Sequence, residues 1–185
     1  MSNVVDRFCQ RAIQLNKRIV LPESADDRVL QAAAEIAAKK YARVVLLGDV
    51  DAVNNQAKKI GVNLAGVEIV DHLKTPSREK FTDALYEKRK AKGMTREEAD
   101  KIICQSMYYA AYMVGDGQAD GMVSGSISPT ADTVRAAIFG IGTAKGVKTI
   151  SSCSVMVTPV TDIGANGTVI FADTGVVPEP TVEQL

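Results

Sequence analysis

The stretch that decides the fold of this chain is Asp120-Gly-Met-Val-Ser-Gly-Ser-Ile-Ser-Pro-Thr-Ala-Asp-Thr-Val-Arg135. Its apolar start predicts a short strand, its small hydroxyl residues predict a turn, and a helix begins near Thr130 with Arg135 about one turn in. Backbone N–H groups, hydroxyls and a positive charge therefore collect at the end of a strand. Such an arrangement is suited to holding an anion, and phosphate in particular.

The same residues also have an ordinary structural interpretation. Turns are rich in Ser and Gly because the backbone requires them, so Ser124, Ser126 and Ser128 need not bind anything. Thr130 is suited to capping a helix, and Arg135 is suited to a surface salt bridge of little energetic value. The residues alone leave an anion site and an ordinary turn as two open alternatives.

Strands and helices alternate along the chain before this stretch. The predicted strands are Arg18–Pro22, Arg43–Gly48, Val67–Val70 and Met122–Val123, with helical patterns between them. This alternation predicts an α/β fold with a mostly parallel sheet flanked by helices on both faces. Ligands of such sheets bind beyond the carboxyl ends of strands, where the turn after Met122 lies.

Capping signals predict where several helices begin. Ser24 with Asp27 makes an approximate capping box, and Thr75 precedes a proline suited to the first helical position. Thr95 with Glu98 makes a second capping box.

The pattern changes near residues 145–148, from strand–helix alternation to longer, hairpin-like strands. We therefore expect a domain boundary there, with residues 1–146 forming a first α/β domain and residues 147–185 beginning a second one. The segment Asp162-Ile-Gly-Ala-Asn-Gly167 is typical of a turn between antiparallel strands. The final residues 180–185 look like the start of a helix, which favours the front part of a longer protein over a frayed tail.

Composition excludes several classes of function. The 185 residues carry no net charge, which argues against nucleic acid or an anionic membrane as the main partner, and no apolar run approaches a membrane span. Three scattered cysteines and one histidine offer no zinc cage and fit a reducing cytoplasm. The chain has no Gly-Lys-Ser or Gly-Lys-Thr, and Gly140 to Gly146 is better explained by helix termination than by dinucleotide binding.

Three other features have competing interpretations. The basic run Lys88-Arg-Lys-Ala-Lys92 is usually a solvated helix end, although it could meet the phosphates of a large anionic ligand. His72 beside Asp71 could be a catalytic pair, but an ordinary loop histidine is the simpler interpretation. Cys153 lies in a predicted strand and is more often buried filling than a nucleophile.

The motifs together resemble those of the phosphate acetyltransferase family. The resemblance covers nearly the whole chain, in the family's order. The segments that carry it are Arg18-Ile-Val-Leu-Pro-Glu23, Arg89-Lys-Ala-Lys-Gly-Met-Thr95, Asp120-Gly-Met-Val-Ser-Gly125, Thr130-Ala-Asp-Thr-Val-Arg135, Gly142-Thr-Ala-Lys-Gly-Val-Lys-Thr149, Phe171-Ala-Asp173 and Pro180-Thr-Val-Glu-Gln-Leu185.

This resemblance implies a fold, a reaction and a setting. The fold would be similar to that of isocitrate and isopropylmalate dehydrogenases, with two domains and a cleft between them. The reaction would move an acetyl group between acetyl phosphate and coenzyme A, releasing phosphate, by direct thiol attack in a ternary complex. The resemblance further implies a cytoplasmic homodimer that needs no metal and holds no cofactor tightly.

The resemblance also implies roles for individual residues. Ser126, Ser128 and Thr130 would hold the phosphoryl group, Arg135 would bind substrate or coenzyme, and Arg89 would bind coenzyme A. One departure is Ser128-Pro129, where many members have a histidine followed by Ser or Thr. This departure weakens the assignment of Ser128 more than it weakens the family resemblance.

Length is the larger departure, since members of the family are roughly twice as long, a usual two-domain size. Their first domain is completed by a C-terminal segment, so the resemblance implies that residues 1–146 lack this segment and that the second domain is truncated. The family's catalytic base, an active-site serine and a further arginine come from that later part. We therefore expect the catalytic residues beyond Leu185 and no activity from this chain alone. Two alternatives stay open: an acetyl-CoA-sensing module like that appended to bacterial malic enzymes, and a phosphate butyryltransferase. A metal-dependent dehydrogenase of the same fold is disfavoured, because no clustered carboxylates suggest a metal site.

Overall fold

The computed structural model of the protein describes residues 4–172, 175–177 and 181–182. The helices are α1 Val4–Leu15, α2 Asp27–Ala38, α3 Val50–Lys59, α4 Ser77–Arg89, α5 Arg96–Ile103, α6 Ser106–Gly115 and α7 Thr130–Gly140, with a 3₁₀ turn at Lys90–Lys92. The strands are β1 Arg18–Leu21, β2 Arg43–Leu47, β3 Glu68–Val70, β4 Gly121–Met122, β5 Cys153–Val157 and β6 Thr168–Ala172.

The chain divides into two compact units. One unit is Cys9–Gly142, and the other consists of Met1–Phe8 with Thr143–Leu185. The expected domain boundary between residues 146 and 147 stays a prediction, as does the beginning of a second domain.

A four-stranded parallel sheet forms the centre of the Cys9–Gly142 unit. Its strand order is β3-β2-β1-β4, and every neighbouring pair is parallel. Strand β1 pairs Ile19 with Gly121 of β4, so the carboxyl ends of β1 and β4 lie side by side. This sheet, flanked by helices, confirms the predicted α/β class.

Two buried clusters cover the faces of this sheet. Because both faces are covered, β2 is almost wholly apolar rather than alternating. One cluster contains Val20, Val45, Leu47, Phe81, Leu85, Ile103, Tyr109, Tyr112 and Met113. The other contains Leu21, Leu30, Ala33, Val44, Leu46, Val53 and Ala57.

Small residues bring α6 and α7 into close contact. A Cβ atom on Gly140 would lie 2.5 Å from the carbonyl carbon of Ala111, and one on Gly115 would lie 2.3 Å from the Gly140 oxygen. Glycine at position 140 thus serves helix packing. Gly142, with a φ of 81°, follows the end of α7 in the left-handed region that favours glycine.

Helix starts follow the sequence at some positions and not at others. Thr95 and Glu98 form the predicted capping box at α5. The prediction for Ser24 was wrong, because Asp26 caps α2 by accepting from the Arg28 amide. The Ser24 hydroxyl instead donates to the Leu47 carbonyl at 2.5 Å.

The second unit contains an antiparallel hairpin. Strands β5 and β6 pair from Cys153 with Ala172 to Val157 with Thr168, and residues 162–167 connect them, as predicted. Every residue of β5 is exposed, Cys153 included, so the expectation that this cysteine is buried was wrong. Apart from Thr181 and Val182, the predicted helix start at residues 180–185 lies outside the described residues.

The described residues contain neither a membrane-spanning helix nor a cluster of metal-binding side chains. In the described ranges, the helices are all too short or too polar to cross a membrane. Over the same ranges, the acidic, cysteine and histidine side chains do not form a group that could hold a metal ion.

Candidate functional site

The turn after β4 surrounds a carboxylate of the chain itself. Backbone amides of Gly125 and Ser126 each donate to Oε2 of Glu23 at 2.8 Å. Those of Ile127 and Ser128 donate to its Oε1 at 3.1 and 2.8 Å. Four successive N–H groups therefore converge on one anion, as in the anion-binding concavities that proteins build from backbone.

The parallel sheet explains this contact. Glu23 lies two residues beyond the end of β1, and the turn lies just beyond the end of β4, which is its neighbour. Only 6% of Glu23 is exposed. Burial raises the pKa of its carboxyl group, but hydrogen bonds from Ser126, the Ser128 side chain, Ile127 and Gly125 outweigh burial and leave that pKa below its ordinary value.

A second carboxylate braces the same turn. The Ser126 hydroxyl donates to Oδ2 of Asp26, and Asp26 is ion-paired with Arg28 at 2.6 Å. Arg28 also donates from Nη2 to the Ser126 carbonyl at 2.9 Å. Hydrogen bonds from the Arg28 side chain, then from Ser126, hold the pKa of Asp26 well below its usual range.

These contacts change how the turn is interpreted. Ser126 and Ser128 lie together in this turn, but their amides are already bound to Glu23. The anion that these amides bind is thus the carboxylate of Glu23, a residue of the chain itself. The assignment of Ser126 and Ser128 as substrate ligands stays a prediction.

The start of α7 has backbone amide groups that are free to donate hydrogen bonds. Within the described residues, no hydrogen bond occupies the amides of Thr130 and Ala131, whereas Asp132 and Thr133 donate to the Pro129 carbonyl. Free amides and the helix dipole at a helix start attract anions. Thr130 is exposed and is the first helical residue, with Pro129 at the cap position.

Arg135 lies on the same helix and reaches toward its start. Its Nη1 lies 3.0 Å from Oδ1 of Asp132, and the two side chains are 56% and 49% exposed. An exposed pair of this kind contributes about 0–1 kcal/mol, so Arg135 can exchange Asp132 for another anion at little cost.

Arg89 lies at the other end of α7. Its guanidinium carbon is 3.9 Å from the centre of the Phe139 ring, and Lys88 Nζ is 3.5 Å from the Phe139 carbonyl oxygen. Phe139 lies nine positions after Thr130, which places the two roughly 14 Å apart along the helix axis. Arg89 therefore does not join the turn that holds Ser126 and Ser128.

A basic cavity opens beside Arg89. Its volume is about 600 Å³, which is typical of a small-molecule site, and its lining residues are Arg89, Lys92, Gly93, Met94, Glu98, Lys101 and Ile102. The Glu98 carboxylate in this lining accepts from the Thr95 amide in the capping box. Among the described residues, Lys92 and Lys101 form no ion pair, so the cavity keeps a positive balance.

Comparison with known proteins connects this geometry to a family. Residues 3–185 match the family described as Phosphate acetyl/butaryl transferase. This chain belongs to that family. The phosphate acetyltransferase of Acetivibrio thermocellus is 44% identical over 181 residues, and that of Thermoanaerobacterium thermosaccharolyticum is 39% identical over 183. These alignments cover 98% and 99% of this chain but 54% and 55% of those relatives, so the chain spans about half their length.

Solved structures of the transferase family have the same fold. A phosphotransacetylase from Streptococcus pyogenes matches 98% of this chain and 54% of its own, with a TM-score of 0.85 and 32% identity. The EutD phosphotransacetylase from Staphylococcus aureus matches 99% of this chain and 55% of its own, with a TM-score of 0.81 and 30% identity.

Asp71 and His72, the possible catalytic pair of the sequence, have structural partners outside α7. Asp71 pairs with Lys74 at 2.6 Å, and His72 Nε2 contacts the Cys104 carbonyl at 3.0 Å. His72 is buried beside Tyr109. These contacts support the ordinary loop histidine over a catalytic Asp–His pair.

Sequence reasoning missed three charged residues. Glu23 and Asp26 contact the turn after β4, and Lys101 lines the basic cavity beside Arg89. Glu23 followed a predicted strand, and such positions are where α/β proteins place ligand-facing groups, so a signal existed. Lys101 carried none, because a single lysine on an amphipathic helix is ordinarily solvated.

Proposed function

We propose that this chain provides part of the active site for acyl transfer between acetyl phosphate and coenzyme A. The thiol sulfur of the coenzyme attacks the acetyl carbonyl carbon and forms a C–S bond. The bond from that carbon to the phosphate oxygen breaks, and phosphate leaves with the electron pair. The thiol proton passes to a base, which we expect in the part of the protein beyond Leu185.

The observation that supports this proposal is the placement of two anion-attracting groups at the two ends of one helix. The start of α7 presents free amides, Thr130 and Arg135. The far end lies against Arg89, which also lines the basic cavity. A small phosphorylated substrate and a long coenzyme with its phosphates at one end match these two positions.

The phosphoryl group belongs at the start of α7 in this proposal. Thr130 donates its hydroxyl, the amides of Thr130 and Ala131 donate as well, and Arg135 turns from Asp132 to the phosphoryl oxygens. Ser126 and Ser128, whose amides hold Glu23, shape the turn that leads into the helix. Fixed donors of this kind stabilise the charge that grows on the leaving phosphate.

The coenzyme phosphates belong beside Arg89. The guanidinium carbon lies 3.9 Å from the centre of the Phe139 ring, and a guanidinium packed over a ring loses little conformational freedom when it binds a phosphate. Lys92 and Lys101 add positive charge around the same cavity. A flexible lysine in place of Arg89 would lack both the stacking and the fork of donors.

We propose acetyl rather than butyryl as the acyl group, on the names of the relatives. The two relatives compared above are both named phosphate acetyltransferase, at 44% and 39% identity. We extend the proposal to a cytoplasmic homodimer of the longer protein. The unpaired cysteines, Cys9, Cys104 and Cys153, agree with a reducing compartment.

Titrations of the 185-residue chain test the two binding positions. We expect Arg135→Ala to weaken acetyl phosphate and Arg89→Ala to weaken coenzyme A, each about tenfold, as for loss of one charge-assisted hydrogen bond. Arg96→Ala is the matched control, because Arg96 is an exposed helix arginine paired with Asp83. Butyryl phosphate, titrated in parallel, should bind more weakly than acetyl phosphate.

A coupled assay for acetyl-CoA tests the chemistry. We expect no turnover from residues 1–185 alone, because the base is proposed to come from the rest of the protein. Turnover by this chain would place the base within its sequence. Failure of wild-type chain to bind either ligand would overturn the proposed function.

A further inference from the structure

We propose that Glu23 is a positioning residue for the phosphoryl-binding end of α7, holding the turn Gly125–Ser128 in the shape from which the helix starts. This inference rests on the proposed function, because it concerns how that function's phosphoryl site is built. Glu23 itself does not touch the ligand.

The geometry supports a positioning role. Each Glu23 oxygen accepts from two neighbouring amides, so a single side chain fixes the orientation of four consecutive peptide units. Gly125 within this turn has a φ of 102°, a conformation that side chains rarely adopt. Without Glu23, four inward-facing amides would need other acceptors, and the turn would rearrange.

Displacement of Glu23 by a ligand is disfavoured. A phosphoryl group entering the same concavity would have to expel a buried carboxylate with four charge-assisted hydrogen bonds. It would also approach Asp26, whose carboxylate accepts from the Ser126 hydroxyl on the same turn. Glu23 is therefore a fixed part of the turn, and the ligand uses the donors that follow it.

The helix start depends on this turn directly. Ser128 donates to Glu23 and lies two residues before Thr130, the first residue of α7. A shift of the turn moves Thr130 and the free amides together. Arg89 lies roughly 14 Å further along the helix axis, so coenzyme binding should not change.

Glu23→Gln is the test variant, because it preserves shape while removing charge and placing an NH₂ group among donors. Glu35→Gln is the matched control, since Glu35 is an exposed glutamate of α2 paired with Lys39 at 2.6 Å. Inorganic phosphate and coenzyme A are the probes, and ¹H–¹⁵N spectra of the chain report on each amide.

For Glu23→Gln, we expect phosphate affinity to fall about tenfold, coenzyme A affinity to stay unchanged, and the amides of Gly125–Ser128 to shift. Glu23→Asp, which keeps the charge with a shorter reach, should recover part of the phosphate affinity. Phosphate binding by Glu23→Gln as tight as in wild type, or tighter, would overturn the inference. An equal loss of phosphate and coenzyme affinity would also count against it.

An acid titration separates this inference from the proposed function. If the wild-type chain binds neither probe, the proposed function fails, yet the hold of Glu23 on the turn is still measurable. The amides of Gly125–Ser128 should shift together as Glu23 is protonated, with a midpoint below the ordinary glutamate range. The charged groups nearby are Asp26 and Arg28, so Asp26→Asn distinguishes its titration from that of Glu23. If the amide chemical shifts of Gly125–Ser128 do not change when Glu23 is protonated, the inference is refuted, even if Glu23→Gln fails to fold.

Discussion

A buried charge is tolerated at Glu23 because the backbone supplies its partners. Isolated carboxylates are expensive to remove from water, whereas those that accept several N–H bonds stay ionised. Here all the donors come from one turn, about a hundred residues later in the chain. A single side chain therefore joins the end of β1 to the segment after β4.

Two buried tyrosines on α6 differ in hydrogen bonding and give a matched comparison. The Tyr109 hydroxyl lies 2.6 Å from Oγ1 of Thr75, whereas the buried Tyr112 hydroxyl has no hydrogen-bond partner among the described residues. We expect Tyr109→Phe to lower the free energy of unfolding by about 1 kcal/mol and Tyr112→Phe to leave it unchanged or raise it by a similar amount. Urea unfolding of both variants measures this difference.

The reverse order of the two tyrosine variants would contradict the comparison. Burial raises the pKa of Tyr112 to about 12, and Arg89 opposes this rise only in part. A spectrophotometric titration provides an independent measure of the same burial.

At the scale of elements, the sequence predicts those contacts that residues close together in the chain make. The capping box of Thr95 and Glu98 is such a case, since both partners lie within one turn. The contact between Glu23 and the turn is the opposite case, because it exists only once β1 and β4 pair in the sheet. Sequence reasoning therefore located the turn and the hydroxyls but not the carboxylate that occupies it.

Ser24 shows a smaller limit of the same kind. Its hydroxyl is suited to a helix cap, but it donates instead to the carbonyl of Leu47 in the neighbouring strand β2. Asp26, nearer the helix, then takes the capping role. Tertiary contacts decided between two local candidates that the sequence could not rank.

The crossing of α6 and α7 gives a prediction at the element scale. In Gly140→Ala, the new Cβ would meet Ala111 atoms at 2.5–2.7 Å, so the helices must separate. We expect a loss of about 1–3 kcal/mol in the free energy of unfolding, the usual cost of overpacking. Gly175→Ala is the control, because nothing lies within 4 Å of the added Cβ.

Separation of α6 and α7 should also affect the proposed coenzyme A site beside Arg89. Arg89 stacks on Phe139, which precedes Gly140, so a displaced α7 would weaken coenzyme A binding by Gly140→Ala. Equal stability of the Gly140 and Gly175 variants would contradict the close packing.

At the scale of the whole molecule, the two units offer different amounts of buried surface. The Cys9–Gly142 unit has a covered sheet, whereas the β5–β6 hairpin exposes Val155, Met156, Ile170 and Phe171. Contiguous exposed apolar residues mark surfaces that other protein covers. The chain spans about half the length of the compared relatives.

Acid should destabilise the Cys9–Gly142 unit. Hydrogen bonds keep the pKa values of Glu23 and Asp26 low, and hydrogen bonds from Arg78 lower that of Asp100. A carboxyl group whose pKa is lower in the folded state contributes stability above its unfolded pKa, and loses it as pH falls through the folded value. The free energy of unfolding should therefore decrease from about pH 5 downward.

Tyrosine fluorescence can follow this loss in one unit, because all five tyrosines lie between residues 41 and 112 and the chain has no tryptophan. Urea unfolding at about pH 7, 5 and 3 should show a smaller decrease for Glu23→Gln than for wild type, since the glutamine no longer titrates. Glu35→Gln should stay close to wild type, because its exposed ion pair contributes little. The same pH dependence in Glu23→Gln and wild type would mean that Glu23 is not the carboxylate whose protonation loosens the turn.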